Sequence, residues 1–203
     1  MKNGKRAYHH GNLAESLLNA VDDIASQFGL EAVTLRACAK RVGVAPSSAF
    51  RHYADKRALL TAFAARALHQ LSNTLANARS QAQANDSDAF VAVCMAYIEF
   101  ALEKPAFFRA MWREETIYTN DEHYVAAAKQ LTAHLKGGFA GTISDQDPSS
   151  LSPQELLAWS SVHGLANLFV EGPVANGQSL SQKLQVANDM VLAMRPLFAP
   201  QHS

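Results

Sequence analysis

Apolar residues recur at spacings of three and four along most of this chain, and no convincing run of strict alternation interrupts them. Helices, and not strands, are therefore expected throughout. A first helix is expected from an Asn12 cap, with Glu15 three residues on as the reciprocal partner of a capping box. Leu13, Leu17, Val21, Ile24 and Phe28 form its inward stripe, and Gly29 ends it. A short second helix follows Thr34, whose hydroxyl suits an N-cap. Leu35, Cys38, Ala39 and Val42 make its apolar face, and Gly43 stands where a left-handed residue closes a helix. Val44 fits the corner, and Pro46 fits the first position of a third helix, where no amide hydrogen is needed. Asp55 is the expected cap of a long fourth helix that carries Leu59, Leu60, Phe63 and Ala67 and reaches toward Ala78. A polar break is expected at 81–88.

The second half reads the same way. Helices are expected at 88–103, 106–112, 121–139, 154–171 and 180–195, with Pro105 stopping one and opening the next. Residues 145–153 have loop composition, with Ser150 or Ser152 as the following cap. In the helix at 154–171, Leu157, Ser160, Ser161, Gly164 and Leu168 line one face, and Trp159, Val162, Ala166 and Val170 line another. The last helix carries two stripes as well: Leu184, Ala187, Val191 and Met194, then Val186, Met190 and Ala193. Apolar surface that wide, with small residues at Ser160, Ser161 and Gly164 that let a second helix approach, is expected to be a dimer interface, a four-helix bundle made from two chains; the competing reading is a pair of helices central to one chain.

Residues 34–53, two short helices around a glycine turn, have the make-up of a helix-turn-helix, whose second helix can enter a major groove. An ordinary αα-hairpin would look the same by pattern alone. Formal net charge is zero over 203 residues, which taken alone argues against a nucleic-acid binder, but its distribution reverses that. Residues 1–57 carry nine Lys and Arg against five Asp and Glu, while 58–203 carry nine against thirteen. A basic leading quarter on an acidic body is the asymmetry of a DNA reader attached to something else.

The matching residues resemble the DNA-binding domain of the TetR family of bacterial repressors. They are Gly29, Thr34, Gly43-Val44, Phe50-Arg51-His52-Tyr53 and Asp55-Lys56-Arg57-Ala58-Leu59-Leu60. The opening Tyr8-His9-His10-Gly11-Asn12-Leu13 is similar to one branch of that family, as is Trp159-Ser160-Ser161-Val162-His163-Gly164, which resembles its Trp-His-Gly signature. Phe50 departs from the tyrosine most members carry, so no phenolic hydroxyl can reach a phosphate there. The resemblance implies an all-α protein: a three-helix DNA-binding domain at 1–57, then a helical-bundle effector-binding and dimerisation domain at 58–203. It implies a homodimer joined through the last two helices, a double-stranded operator as partner, and an unidentified small-molecule effector that releases a repressor from a palindromic site. A constitutive or architectural DNA-binding protein, and a helical-bundle enzyme, are the competing readings.

Candidate chemistry follows from those positions. Ser47 and Ser48 open the recognition helix, and Arg51 and His52 suit base edges or phosphates. Lys56 and the free amides at the start of the fourth helix suit a backbone phosphate, and the resemblance gives Arg36 the same task. Tyr53 and Phe50 either pack the three-helix core or touch DNA. Lys2, Lys5 and Arg6 form either a groove-tracking arm or a solubilising tail. For an effector, Met95, Tyr97, Phe108, Met111, Trp112, His134, Trp159 and His163 are candidate lining residues, though aromatics on facing helices equally fill a core. Glu99, Arg109 and Arg113 are further polar candidates. The eight histidines include no HExxH, and no GxSxG, GxxxxGK or GxGxxG occurs, so no catalytic residue, metal or cofactor is expected. Cys38 and Cys94 fall on apolar faces and form no CxxC, the pattern of buried free thiols in a reducing cytosol. With no signal peptide and no run of about 18 apolar residues, a cytoplasmic protein without a membrane partner is expected.

Overall fold

The structure, a computed structural model, describes residues 13–84, 88–140, 151–172, 174 and 177–197. Among these the regular elements are helical: α1 Leu13–Phe28, α2 Leu35–Val42, α3 Pro46–Phe50, α4 Lys56–Ala84 and α5 Ala89–Glu103. They continue with α6 Pro105–Trp112, α7 Glu122–Ala140, α8 Pro153–Val170 and α9 Leu180–Met194. Short 3-10 turns lie at Leu30–Ala32, Glu114–Thr116 and Arg195–Leu197. The expected Asn12 cap, the 1–10 arm and Ser150 lie outside the described residues.

Local chemistry sets the boundaries. The Thr34 hydroxyl accepts the Ala37 amide hydrogen at 3.0 Å and starts α2. Gly43, at φ 81°, closes it by donating to the Ala39 and Lys40 carbonyls, a conformation that would strain a residue with a Cβ. Asp55 caps α4 by accepting the Ala58 amide hydrogen at 2.8 Å, and Asp88 caps α5 through Phe90 and Val91. Ser152 with Glu155 and Ser179 with Gln182 form capping boxes that open α8 and α9.

Helices α1, α2 and α3 pack on one another, and α1 also rests on α4 and α6. Helix α4 then serves as the platform for α5, α6 and α7, while α5 lies between α4 and the α8–α9 pair. One apolar core runs through both ends, from Leu17, Val21 and Cys38 past Phe63 and Leu71 to Ile98, Val162 and Val191. Both thiols are buried; burial pushes Cys38 up to about 11 and raises Cys94 further.

Two sequence expectations change. Phe28 does not join the α1 stripe but is 68% exposed. The inward face drifts around the helix to Ala25, and Gly29 turns the chain so that Leu30 fills the place instead. Helix α4 also runs past the expected stop to Ala84, because the Gln-Ala alternation at 81–84 favours helix and Ala82 is buried against a neighbour. Replacing Thr34 with alanine should lower unfolding free energy by about 1 kcal/mol. The measurement is a urea transition, with a lower midpoint and an unchanged slope.

Candidate functional site

Helix α3 has five residues and is anchored by one of them: Ala49 is fully buried. The others form an exposed face. Ser47 is exposed and Ser48 half-buried, Phe50 is 47% exposed, and Arg51 and His52 continue the surface past the helix end. Arg51 Nη2 donates to Ser48 Oγ at 3.1 Å, so the two side chains hold each other. Of the two aromatics, Phe50 faces solvent, whereas Tyr53 packs against the core and donates its hydroxyl to the Ala14 carbonyl at 3.4 Å. Arg36 is exposed on α2, and Lys56 Nζ donates to the Glu31 carbonyl at 3.0 Å. Arg66 reaches back from α4 to Asn19 at 2.7 Å and Glu15 at 3.1 Å on α1.

The candidate effector residues divide. Tyr97 from α5, Phe108 and Trp112 from α6, and Trp159 and His163 from α8 meet in one cluster. His163 is its centre, with ring centroids 5.0 Å from Trp112, 5.4 Å from Phe108, 6.2 Å from Trp159 and 6.3 Å from Tyr97. Trp112 and Trp159 lie 5.7 Å apart. The Tyr97 hydroxyl and His163 Nδ1 are hydrogen-bonded at 2.9 Å. Met111 is fully buried, and its carbonyl lies 3.5 Å from the Tyr124 hydroxyl.

Met95 and His134 lie apart from these rings. Met95 lines a surface groove of about 350 Å³ with Ala78, Gln81, Ala82 and Glu99. His134 sits on α7, where its carbonyl accepts from Arg79 Nη2. Arg109 and Arg113 are held in ion pairs, with Glu171 and Glu31 respectively. Helix α5 explains the separation: Met95 and Tyr97 are two residues apart and so face different sides.

The polar groups of the cluster are not all paired. An indole N–H only donates. The Trp159 N–H lies near the Tyr97 hydroxyl, where it favours the ionised form, but is buried without a hydrogen-bond partner. Burial dominates the titration, raising Tyr97 far above the usual phenol range and lowering His163. The Trp112 N–H is buried without a protein acceptor. A buried donor left unpaired costs about 1–3 kcal/mol.

Between the cluster and α3 lies a clasp that periodicity did not reveal. The segment leaving α6 grips the start of α4 and the 3-10 turn before α2. Arg113 pairs with Glu31, which holds the Glu31 carboxyl below its usual range. The Ile117 carbonyl accepts from Arg57 Nε at 2.7 Å, and the Arg57 guanidinium lies 4.7 Å from the Tyr118 ring centre. The Tyr118 amide donates to Thr61 Oγ1 at 2.8 Å, and its hydroxyl donates to Asp55 Oδ2 at 2.7 Å. Asp55 is held low first by the Ala58 amide and then by Tyr118. Trp112 and Arg113 are adjacent, so one short helix end joins the aromatic cluster to this clasp.

Comparison with known proteins comes to the same two regions. Residues 17–63 match the family model described as bacterial regulatory proteins, tetR family, and residues 90–192 match the tetracyclin repressor-like C-terminal domain. An uncharacterized HTH-type transcriptional regulator of Bacillus subtilis, YobS, is 29% identical over 100 residues, 49% of this chain and 51% of that protein. The match thus spans about half the length of that relative. An uncharacterized HTH-type transcriptional regulator of Haemophilus influenzae is 25% identical over 196 residues, 96% of this chain and 92% of its own. A solved structure of a protein of unknown function from Rhodococcus sp. RHA1 superposes with a TM-score of 0.70 at 26% identity, covering 93% of this chain and 98% of that one.

Burial gives His163 a pH signature. Its pKa lies below the ordinary 6.5 in the folded chain, so the unfolded chain takes up the proton first as pH falls. Its stabilising contribution is complete above 6.5 and is lost as pH drops from there toward the folded value. His134, lowered by burial and then by Arg79, acts with the same sign. Urea midpoints taken from neutral pH down to about 5 should decline, and His163→Gln should flatten the decline without abolishing it.

Proposed function

This chain belongs to the TetR family of bacterial regulatory proteins, and from that premise we propose that it is a ligand-responsive repressor. Its homodimer, joined through α8 and α9, leaves a palindromic operator when a small molecule binds around Trp112 and His163. The family's members are DNA-binding transcriptional regulators and not enzymes, which sets aside the helical-bundle enzyme. No helix among the described residues is long and apolar enough to cross a membrane. The repressor works in the cytoplasm, where its operator is.

One observation carries the effector reading over the constitutive one: the end of α6 touches the aromatic cluster at Trp112 and grips the DNA-reading end at Glu31, Asp55 and Arg57. A ligand that moves α6 loads that clasp directly. It shifts the start of α4 and, with it, the spacing of the two recognition helices. Residues 1–57 are the reader, 58–203 the effector and dimerisation part, and α4 belongs to both in packing.

The dimer reading rests on the outer faces of α8 and α9. Leu156 and Leu157 are each 51% exposed, Leu168 44%, Leu180 49% and Leu192 49%, although both helices bury an opposite stripe. Exposed apolar surface of that kind marks an association site. A side chain added at Gly164 meets nothing within 4 Å, so the face is open to a partner. On the DNA side, Ser47, Ser48, Phe50, Arg51 and His52 face the major groove. Arg36 and Lys56 hold phosphates, with Lys56 exchanging the Glu31 carbonyl for one.

Selecting bound fragments of the source genome with the purified protein, then footprinting them, tests the reading: a protected two-fold symmetric site supports it, and absence of any preferred site ends it. Trp112→Ala should keep operator affinity and blunt release by an effector. Lys56→Ala should weaken all sequences about uniformly and reduce the slope of log affinity against log salt by about one unit. Gly164→Leu should yield folded monomer that has lost operator binding, as sedimentation and circular dichroism would show together; a fully dimeric variant places the interface elsewhere.

A further inference from the structure

The effector class is legible in the hydrogen-bonding inventory of the cluster, an inference that rests on the effector reading above. The rings of Tyr97, Phe108, Trp112 and Trp159 surround His163 with apolar, polarizable surface. Trp159 faces Tyr97, and Tyr97 is hydrogen-bonded to His163 Nδ1. The groups left with something to offer are donors: the indole N–H groups of Trp112 and Trp159, neither hydrogen-bonded within the protein, of which that of Trp159 lies toward the Tyr97 oxygen and that of Trp112 does not. The arginines close in sequence are held elsewhere, Arg109 by Glu171 and the Val170 carbonyl, Arg113 by Glu31. A carboxylate entering here would meet donors but neither of these two guanidinium groups free, and a ligand hydroxyl or amine would bring a donor to a site that already has donors to spare.

We propose that the site formed by Trp112, Trp159, His163, Tyr97 and Phe108 takes an uncharged aromatic molecule whose polar group is a hydrogen-bond acceptor, a ketone or related carbonyl compound. Its oxygen accepts from Trp112 Nε1, and its ring lies among the aromatic side chains.

With only two tryptophans in the chain, the indole N–H region of a nitrogen-proton correlation spectrum of the full protein holds two signals, assigned by Trp112→Phe and Trp159→Phe. Acetophenone, toluene and benzoate are the probes: acceptor, same bulk without acceptor, and charged acceptor. Acetophenone should move the Trp112 proton downfield and bind about tenfold more tightly than toluene. Trp112→Phe, which keeps an aromatic ring, should erase that preference, while Trp159→Phe should keep it. Equal binding of acetophenone and toluene overturns the acceptor assignment, and tighter binding of benzoate overturns the uncharged one. A moved Trp112 signal with operator still bound supports the site and counts against the effector reading. Operator release by acetophenone with both indole signals unmoved overturns the site and leaves that reading standing.

Discussion

Helix α4 is continuous for 29 residues, about 44 Å, and both halves of the molecule are packed against it. Its first turns bury Leu59, Leu60 and Phe63, and its later turns bury Leu68, Leu71 and Leu75. An unbroken ladder of backbone hydrogen bonds makes it a stiff rod. Displacement of one end must therefore appear at the other or be absorbed where neighbouring segments hold it. Those holds are polar and local: Arg66 on Asn19 and Glu15, Arg57 on Ile117, Tyr118 on Asp55 and Thr61. Apolar packing fixes which helices touch, and these few directional contacts fix the angle at which the rod leaves the reader.

Most of the helical frame could be read from residues, because local rules and the final packing agree there. Thr34, Gly43, Asp55, Asp88 and Ser152 occupy the caps their chemistry suits. The two faces of α8 are as expected, with Trp159, Val162 and Ala166 packed inward and Leu157 and Leu168 outward. A stripe at fixed spacing puts Phe28 inward, but the buried face rotates slowly around α1, and by the last position of the helix the side chain has turned to solvent. The polar residues from 81 suggest a break, yet helix propensity in this alanine-rich stretch carries α4 on to Ala84.

The effector-side residues were only half legible. Composition named the aromatic set, yet it could not tell that Tyr97 turns toward His163 while Met95, two residues earlier, lines a different groove. The clasp left no trace in periodicity, since it is built from backbone carbonyls, one 3-10 turn and contacts between residues 57 to 82 positions apart. Nothing in the spacing around Tyr118 signals that its hydroxyl reaches the cap of α4. Non-local polar contacts of this kind depend on tertiary geometry and have no spacing to detect.

The brevity of α2 and α3, eight and five residues, has its own meaning. Helices shorter than about 12 residues do not persist alone in water, so neither contributes shape of its own. What presents Ser47, Phe50 and Arg51 is the hydrophobic body beneath them, through Ala49, Leu35 and Cys38. The exposed face of α3 is thus a surface of the core and not a separate tool attached to it. Any loss of order in the underlying packing alters that face before it unfolds the chain, so its shape depends on buried alanines and leucines as well as on the residues exposed on it.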